Sequence, residues 1–298
     1  MEFISSCPIC NNNSFKDFLT ARDHFLTREA FNISECKVCG FLFTNPRPGK
    51  SEILKYYEST DYLSHDTGNK GFLTGLYRLI RKKNIRNKYL LAKKFSKGKK
   101  ILDMGCGTGE FIQYCSFHGF QSIGIEPNEK ARSFGIHSLK QDIRSESGLN
   151  DISPDTLDVI TLWHVLEHVH NLDEQMAQLK KILKPGGSLI VAVPNSNSWD
   201  AIKYREYWAA YDLPRHLYHF NMKTLANFIE KINFKLVEIL PMKYDAYYIS
   251  LLSEKYKSGK RNFFPAISSG LQSNIFAKKN HNNYSSIIFI AENLKSAK

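Results

Sequence analysis

Residues 101–111 read Ile-Leu-Asp-Met-Gly-Cys-Gly-Thr-Gly-Glu-Phe: an apolar run, three glycines at alternate positions, then the start of an amphipathic stretch. Glycine visits positive φ without a steric penalty, so this spacing predicts a strand, a tight turn and a helix in direct succession. Such a turn lets a ligand approach the backbone, and the helix behind it offers free N–H groups. Apolar runs at 100–104, 122–126, 157–163 and 188–194 then alternate with amphipathic stretches, and 235–240 and 286–292 add two more. Alternation at that spacing predicts βαβ units, hence an α/β chain with a Rossmann-like, mainly parallel sheet and helices on both faces.

Three acids sit where such a sheet meets a ligand. Asp103 closes the first strand, ahead of Gly105, Gly107 and Gly109. Glu126 ends the next strand, the place where α/β nucleotide folds grip a ribose diol. A carboxylate there is costly to bury unless it has a partner. Asp142, followed by Ile143, is expected to end a third strand. The spacing G-x-G-x-G differs from the dinucleotide fingerprint, and no Gly-Lys-Ser/Thr follows as in a phosphate-binding loop. Asp103 would also repel a pyrophosphate. A donor with an α-amino group and a sulfonium suits it better, so charge favours S-adenosylmethionine over NAD.

On these residues the chain resembles the class I S-adenosylmethionine-dependent methyltransferases over about residues 85–240. The likeness extends to 157–168, similar to that family's fourth strand and following helix, and to 183–189, similar to its turn into the fifth strand. The resemblance implies a seven-stranded sheet. It also implies roles: Gly105, Gly107 and Gly109 under the methionine part, Asp103 reading its amino group, Glu126 holding both ribose hydroxyls, Asp142 and the Ile143 backbone reading adenine, and Leu162 to His164 lining the methionine end.

Four of the six cysteines form two C-x2-C pairs, Cys7/Cys10 and Cys36/Cys39, the second followed by Gly40. That spacing suits tetrahedral Zn2+, and four thiolates leave no open position, so the metal is expected to be structural. Residues 1–48 are expected to be a small zinc-ribbon-like module, with 41–43 as one of its strands. The breaker cluster at 45–49 marks its boundary. Ser51 is expected to cap a short helix ending near Tyr57, and residues 49–98 to form a helical, basic segment or lid before the main domain, 99–298. A four-cysteine module ahead of such a core resembles zinc-bearing small-molecule methyltransferases, including those that C-methylate nucleotide-linked deoxysugars.

The chain of 298 residues carries a net charge of +12, and 67–102 contains twelve Lys and Arg with no acid. Such a field attracts phosphate, nucleic acid or an anionic membrane, although a solvated helix face is the plainer account of it. No apolar run approaches the ~18 residues of a spanning helix. No basic and apolar leader opens the sequence, so a cytoplasmic address is expected.

Beyond the fifth strand, residues 208–220 gather Tyr211, Arg215, His216, Tyr218 and His219. Loops beyond the carboxyl ends of such strands reach the ligand. Methyl transfer to oxygen or carbon needs alignment of the acceptor and removal of a proton, and histidine suits the latter near neutral pH. His216 is the first expectation for that base and His219 the second, with Arg215 holding an anionic group and Tyr211 lining the acceptor. Tyr56, Tyr57 and Tyr62 are further candidates for closing the site. The Asn/Asp-Pro-Pro-Tyr/Phe turn of exocyclic-amine methyltransferases is replaced by Leu162-Trp163-His164-Val165, with no cysteine there. A small-molecule acceptor is therefore expected ahead of RNA, and ahead of a non-catalytic binding role. Residues 241–285 form an insertion that can serve as lid, substrate wall or dimer contact.

Overall fold

The computed structural model describes residues 1–57 and 72–294, with 72–80 as backbone. Tyr62, Lys70 and the Arg78 side chain lie outside the described residues. Three strands open the chain, β1 (Phe15–Arg22), β2 (Ala30–Cys36) and β3 (Leu42–Thr44). Helix α1 (Phe72–Phe95) leads into β4 (Lys100–Met104), α2 (Glu110–Phe117), β5 (Gln121–Ile125), α3 (Glu129–His137) and β6 (Asp142–Arg144). Then follow β7 (Leu157–Trp163), α4 (Leu172–Ile182), β8 (Leu183–Pro194), α5 (Trp199–Tyr204), β9 (Tyr218–His219) and α6 (Met222–Lys231). The chain ends with β10 (Phe234–Pro241), α7 (Asp245–Ser258), α8 (Phe263–Lys279) and β11 (Ser286–Asn293).

The main sheet has seven strands in the order β10-β11-β8-β7-β4-β5-β6. Strands β4 to β8 pair in parallel, while β11 runs antiparallel to both β8 and β10. Side chains alternate across a strand, and here the alternation splits the core in two. Ile101, Val159 and Ile190 point to one face, where Tyr89 and Ala92 of α1 and Ile112 and Cys115 of α2 cover them. Leu102, Ile160 and Leu189 point to the other, against Leu179 of α4 and Leu225 and Phe228 of α6. Both faces buried explains why β7 reads as a continuous apolar run apart from Asp158 and Thr161. Strand order reverses at β4, which has β5 on one side and β7 on the other. Ligands of open α/β sheets sit at the carboxyl ends of strands at such a switch point.

A second sheet, β1-β2-β3-β9, joins the N-terminal strands to the segment between α5 and α6. Its last strand comes from the loop beyond the expected module boundary: Leu42 pairs with His219, and Phe43 with Tyr218. The sequence signal for β9 is only two residues long, too short for any periodicity to register.

Several local expectations need correction. Glu52 rather than Ser51 precedes the short 3-10 turn at Ile53–Tyr56, with no side-chain cap. The turn expected within 183–189 is present as an irregularity inside β8, which begins at Leu183: Gly186 has φ 67°, and the register against β7 shifts between Leu183 and Ser188. Asp142 opens β6 rather than ending it, and its carboxylate pairs with the Arg144 guanidinium at 2.7 Å. In the insertion, α7 covers the stretch 245–258 and α8 the semi-apolar stretch after it. Among the described residues no helix is long and apolar enough to cross a membrane.

Candidate functional site

The glycine loop is shaped by what each position must avoid. Gly105, Gly107 and Gly109 all have positive φ, at 66°, 57° and 84°. A Cβ on Gly105 would lie 2.5 Å from the Val165 side chain, and one on Gly109 2.6 Å from Ile143. At Gly107 a Cβ would meet nothing within 4 Å, so the crest of the loop faces open space at the switch point. The Gly105 and Cys106 amides donate to the Ile125 carbonyl at 2.7 and 3.0 Å, tying the loop to β5.

Glu126 follows β5 and is 8% exposed. Its Oε2 accepts from the Gly107 amide and its Oε1 from the Asn128 amide, both at 2.8 Å. Burial pushes this carboxyl above its ordinary range, and the two amides pull it back. Each oxygen keeps further acceptor capacity.

Asp103 is 3% exposed and accepts the Thr161 hydroxyl. Burial pushes it up to about 7, against the Thr161 hydrogen bond and the Lys88 charge. Lys88 belongs to the basic stretch read as a solvated face, yet its ammonium lies 4.7 Å from the Trp163 ring centroid and its charge bears on Asp103 and Asp245. Helical spacing could have found it: Lys88 shares a face with Ala92 and Phe95, which pack on the sheet. Other members of that stretch are tied to the protein as well, Arg81 to Glu110, Lys94 to Glu238 and Lys97 to Glu292. The buried indole N–H of Trp163, at the carboxyl end of β7, has no partner among the described residues. An open crest, an unpaired buried donor, two buried acids and an inward lysine at one switch point fit the ribose, ammonium and carboxylate of S-adenosylmethionine.

Four histidines, His164, His168, His216 and His219, lie around Glu167 and the 208–220 loop. His164, at φ 58°, places Nε2 3.0 Å from Asp245 Oδ2 and Nδ1 3.5 Å from Glu167 Oε1. Burial lowers its basicity, but those two carboxylates outweigh that and push it up to about 9. Glu167 is 1% exposed, and no donor among the described residues bonds to its carboxylate. His216 Nδ1 lies 2.8 Å from the Ala210 carbonyl, so Nδ1 carries the proton and donates. Nε2 is left 4.0 Å from both Glu167 Oε1 and Asp212 Oδ2. The His168 ring stands edge-on to His216 at 4.6 Å, its Nδ1 2.9 Å from both the Arg215 carbonyl and the Tyr57 hydroxyl. Burial, then the His216 charge, brings His168 down to about 4. His219 is buried in β9 with Nε2 3.2 Å from the Thr44 hydroxyl, and its pKa falls well below the usual value through burial. Tyr211, also buried, meets His219 edge-on at 5.3 Å. Glu167, His168 and His216 offer ligand atoms within 4.8 Å of one another, a set that can also hold a divalent ion.

Arg215 departs from its expected role. Its guanidinium donates to both Asp212 oxygens at 2.9 and 2.6 Å, to Asp23 at 3.4 Å and to the Tyr56 carbonyl at 3.0 Å. Four of its five N–H groups are engaged and the side chain is buried, so the residue clamps the 208–220 loop to the N-terminal segment. Truncating one partner of a buried ion pair strands the other, which costs about 3–5 kcal/mol. Arg215→Leu is therefore expected to lower the urea-unfolding free energy by about that amount.

The four N-terminal thiols converge. Cys7 and Cys39 Sγ are 3.6 Å apart, as are Cys10 and Cys36, and all four lie within 4.8 Å. Zn–S bonds of about 2.3 Å in a tetrahedron give S···S edges of about 3.8 Å. The separation is far beyond a disulfide, about 2.05 Å.

A protein-family profile described as a methyltransferase domain matches residues 77–239, more than half of the chain. A ubiquinone biosynthesis O-methyltransferase of Dechloromonas aromatica is 28% identical over 177 residues, covering 55% of this chain and 74% of that protein. Another of that name, from Photobacterium profundum, is 32% identical over 108 residues, covering 34% of this chain and 46% of that protein. The chain thus spans about half the length of several curated relatives it matches. Among solved structures, Haemonchus contortus phosphoethanolamine N-methyltransferase 2 in complex with S-adenosylmethionine superposes with TM-score 0.52 at 16% identity, over 95% of this chain and 69% of that one. The [4+2]-cyclase SpnF superposes with the same score at 15% identity, over 83% and 97%. These likenesses establish the fold, and the cyclase shows that the fold alone does not fix a reaction. With the profile covering the whole glycine-loop half of the sheet, the chain belongs to the methyltransferase-domain family.

Proposed function

We propose that the chain binds S-adenosylmethionine across the carboxyl ends of β4, β5 and β7 and methylates an oxygen or carbon of a small molecule seated beside His164 and His216. The observation that carries this reading is the Gly107 crest, bare of neighbours, beside the buried Glu126 carboxylate. Glu126 would hold the ribose hydroxyls, Asp103 the amino group and Lys88 the carboxylate, with Gly105, Gly107 and Gly109 beneath. Ile143, packed over Gly109, would wall the adenine, and Asp142 would exchange its exposed ion pair with Arg144 for the base, a pair weak enough to give way. When bound, S-adenosylmethionine supplies an electrophilic methyl group with a neutral thioether as leaving group.

The acceptor proton falls to His216. His164 is held protonated by Asp245 and Glu167, while burial keeps His168 and His219 poor bases. His216 presents Nε2 toward the Glu167 carboxylate at 4.0 Å, with Nδ1 anchored on the Ala210 carbonyl. Glu167 would stabilise the imidazolium as the proton arrives. Relatives named O-methyltransferases favour oxygen as the acceptor atom. Mass spectrometry of lysate metabolites labelled by the purified protein with a heavy methyl donor tests the class: labelled small molecules support it, label confined to RNA overturns it.

Asp103 makes donor binding pH-dependent. An ammonium needs the carboxylate, and protonation near its value of about 7 competes with it. Affinity is therefore present above that value and lost as pH falls through it, by about tenfold per unit. Calorimetry across this range should show the slope in the wild type and a weak, flat response in Asp103→Asn.

A second reading rests on the convergence of Glu167, His168 and His216. Together they would coordinate a divalent ion, each histidine Nδ1 anchored on a backbone carbonyl. Activity lost to EDTA and restored by magnesium or manganese, not zinc, favours it; activity indifferent to EDTA favours the base.

A further inference from the structure

Helix α8 packs the wrong way round for a helix facing water. The side it turns to the protein is made of small residues, Ala266, Ser269, Gly270, Ser273 and Ala277. A Cβ on Gly270 would sit 2.6 Å from the Tyr247 ring, so this face is small because α7 lies so close. The large apolar side chains point outward instead: Phe263 is 48% exposed, Phe264 89%, Ile267 57%, Leu271 50% and Ile275 48%. Phe264, Ile267, Leu271 and Ile275 are three or four apart and form one stripe along the helix. Water-exposed apolar stripes of this size mark a surface that is covered in use.

The charges around the stripe select the cover. From Lys255 to Ala291 the sequence has no Asp or Glu, and it has Lys255, Lys257, Lys260, Arg261, Lys278 and Lys279. All six are exposed, and none forms an ion pair among the described residues. They flank the apolar stripe at both ends of a 17-residue helix. A second copy docked through the same face across a two-fold axis would bring cationic helix ends against cationic ends. A nucleic acid would satisfy the cations but leave the phenylalanines and leucine in water. An anionic lipid surface takes both, with the apolar stripe among acyl chains and the lysines at headgroup level.

We infer that the outer face of α8 seats the protein on an anionic membrane surface, with the helix lying in the interface plane. The insertion thereby acquires a role apart from the chemistry of the site.

The test is co-sedimentation with phosphatidylcholine vesicles and with vesicles containing about one third phosphatidylglycerol, alongside light scattering for oligomeric state. The wild type should sediment with the anionic vesicles, weakly or not at all with the neutral ones, and less as salt is raised. Ile267→Glu/Leu271→Glu should bind at least about tenfold more weakly with an unchanged melting temperature. Lys278→Glu/Lys279→Glu, which leaves the stripe intact, should lose binding to a similar degree. No binding of the wild type to anionic vesicles overturns the inference. So does undiminished binding by both variants, or a solution dimer that Ile267→Glu/Leu271→Glu dissociates.

Discussion

His216→Asn is expected to lower kcat by roughly 10²–10⁴ while leaving S-adenosylmethionine affinity within about twofold. Asparagine can still donate to the Ala210 carbonyl, as Nδ1 of His216 does at 2.8 Å, so the loop keeps its anchor. It has no basic nitrogen to replace Nε2, which faces Glu167 and Asp212. The glycine loop and Glu126, on other strands, are untouched. Equal loss in kcat and donor affinity would mean that His216 shapes the whole site, and an unchanged kcat would remove it from the chemistry. The neighbouring histidines supply the control. His219 bridges to Thr44 in the small sheet, so His219→Asn should act mainly on stability, with kcat changed far less than by His216→Asn.

Cys36→Ser should have the second large effect, and at a distance. Cys36 ends β2, fully buried, and its thiol is one of four that converge at tetrahedral spacing. A structural zinc contributes on the order of 10–16 kcal/mol to a small module, so losing one ligand should unfold the β1-β2-β3 sheet. That sheet includes β9, which carries His219 and lies just beyond His216. Asp23, which directly follows β1, accepts from Arg215. Methyl transfer should fall by more than about a hundredfold, because the acceptor loop loses its frame. Donor binding should persist, since Asp103, the glycine loop and Glu126 belong to the other sheet. Metal analysis should find about one zinc per wild-type chain and none in the variant. Full activity in a zinc-free variant would make the module dispensable.

What was legible in the sequence was local. The strand, glycine turn and helix at 101–111 specify their own conformation, and the short apolar runs that follow mark the strands beside them. The acids Asp103 and Glu126 could be placed because each directly ends or follows an apolar run. The remainder depends on contacts between distant residues. Nothing in the sequence near Arg215 announces Asp23, 192 positions away, and so a buried clamp reads as an anion-binding arginine. Glu167 lies inside a stretch noted only for its likeness to a family strand and helix, and its approach to His216 exists only once the loop at 208–220 folds over it. Lys88 looks like its eleven basic neighbours until its helix face is counted. Helix α8 defeats the usual reading altogether, because its large apolar side chains mark the outside.

Glu126 and the open crest at Gly107 together make the proposed donor site. Isothermal calorimetry of S-adenosylmethionine with the wild type and with Glu126→Gln, at pH 8 where Asp103 is charged, tests it most directly. Glutamine replaces one acceptor by an NH2 that faces a backbone amide, Gly107 or Asn128, and two charge-assisted bonds to the ribose weaken together. Micromolar binding by the wild type and a loss of roughly a hundredfold in the variant are the predicted results. Equal affinities, or no heat from the wild type, would contradict the account.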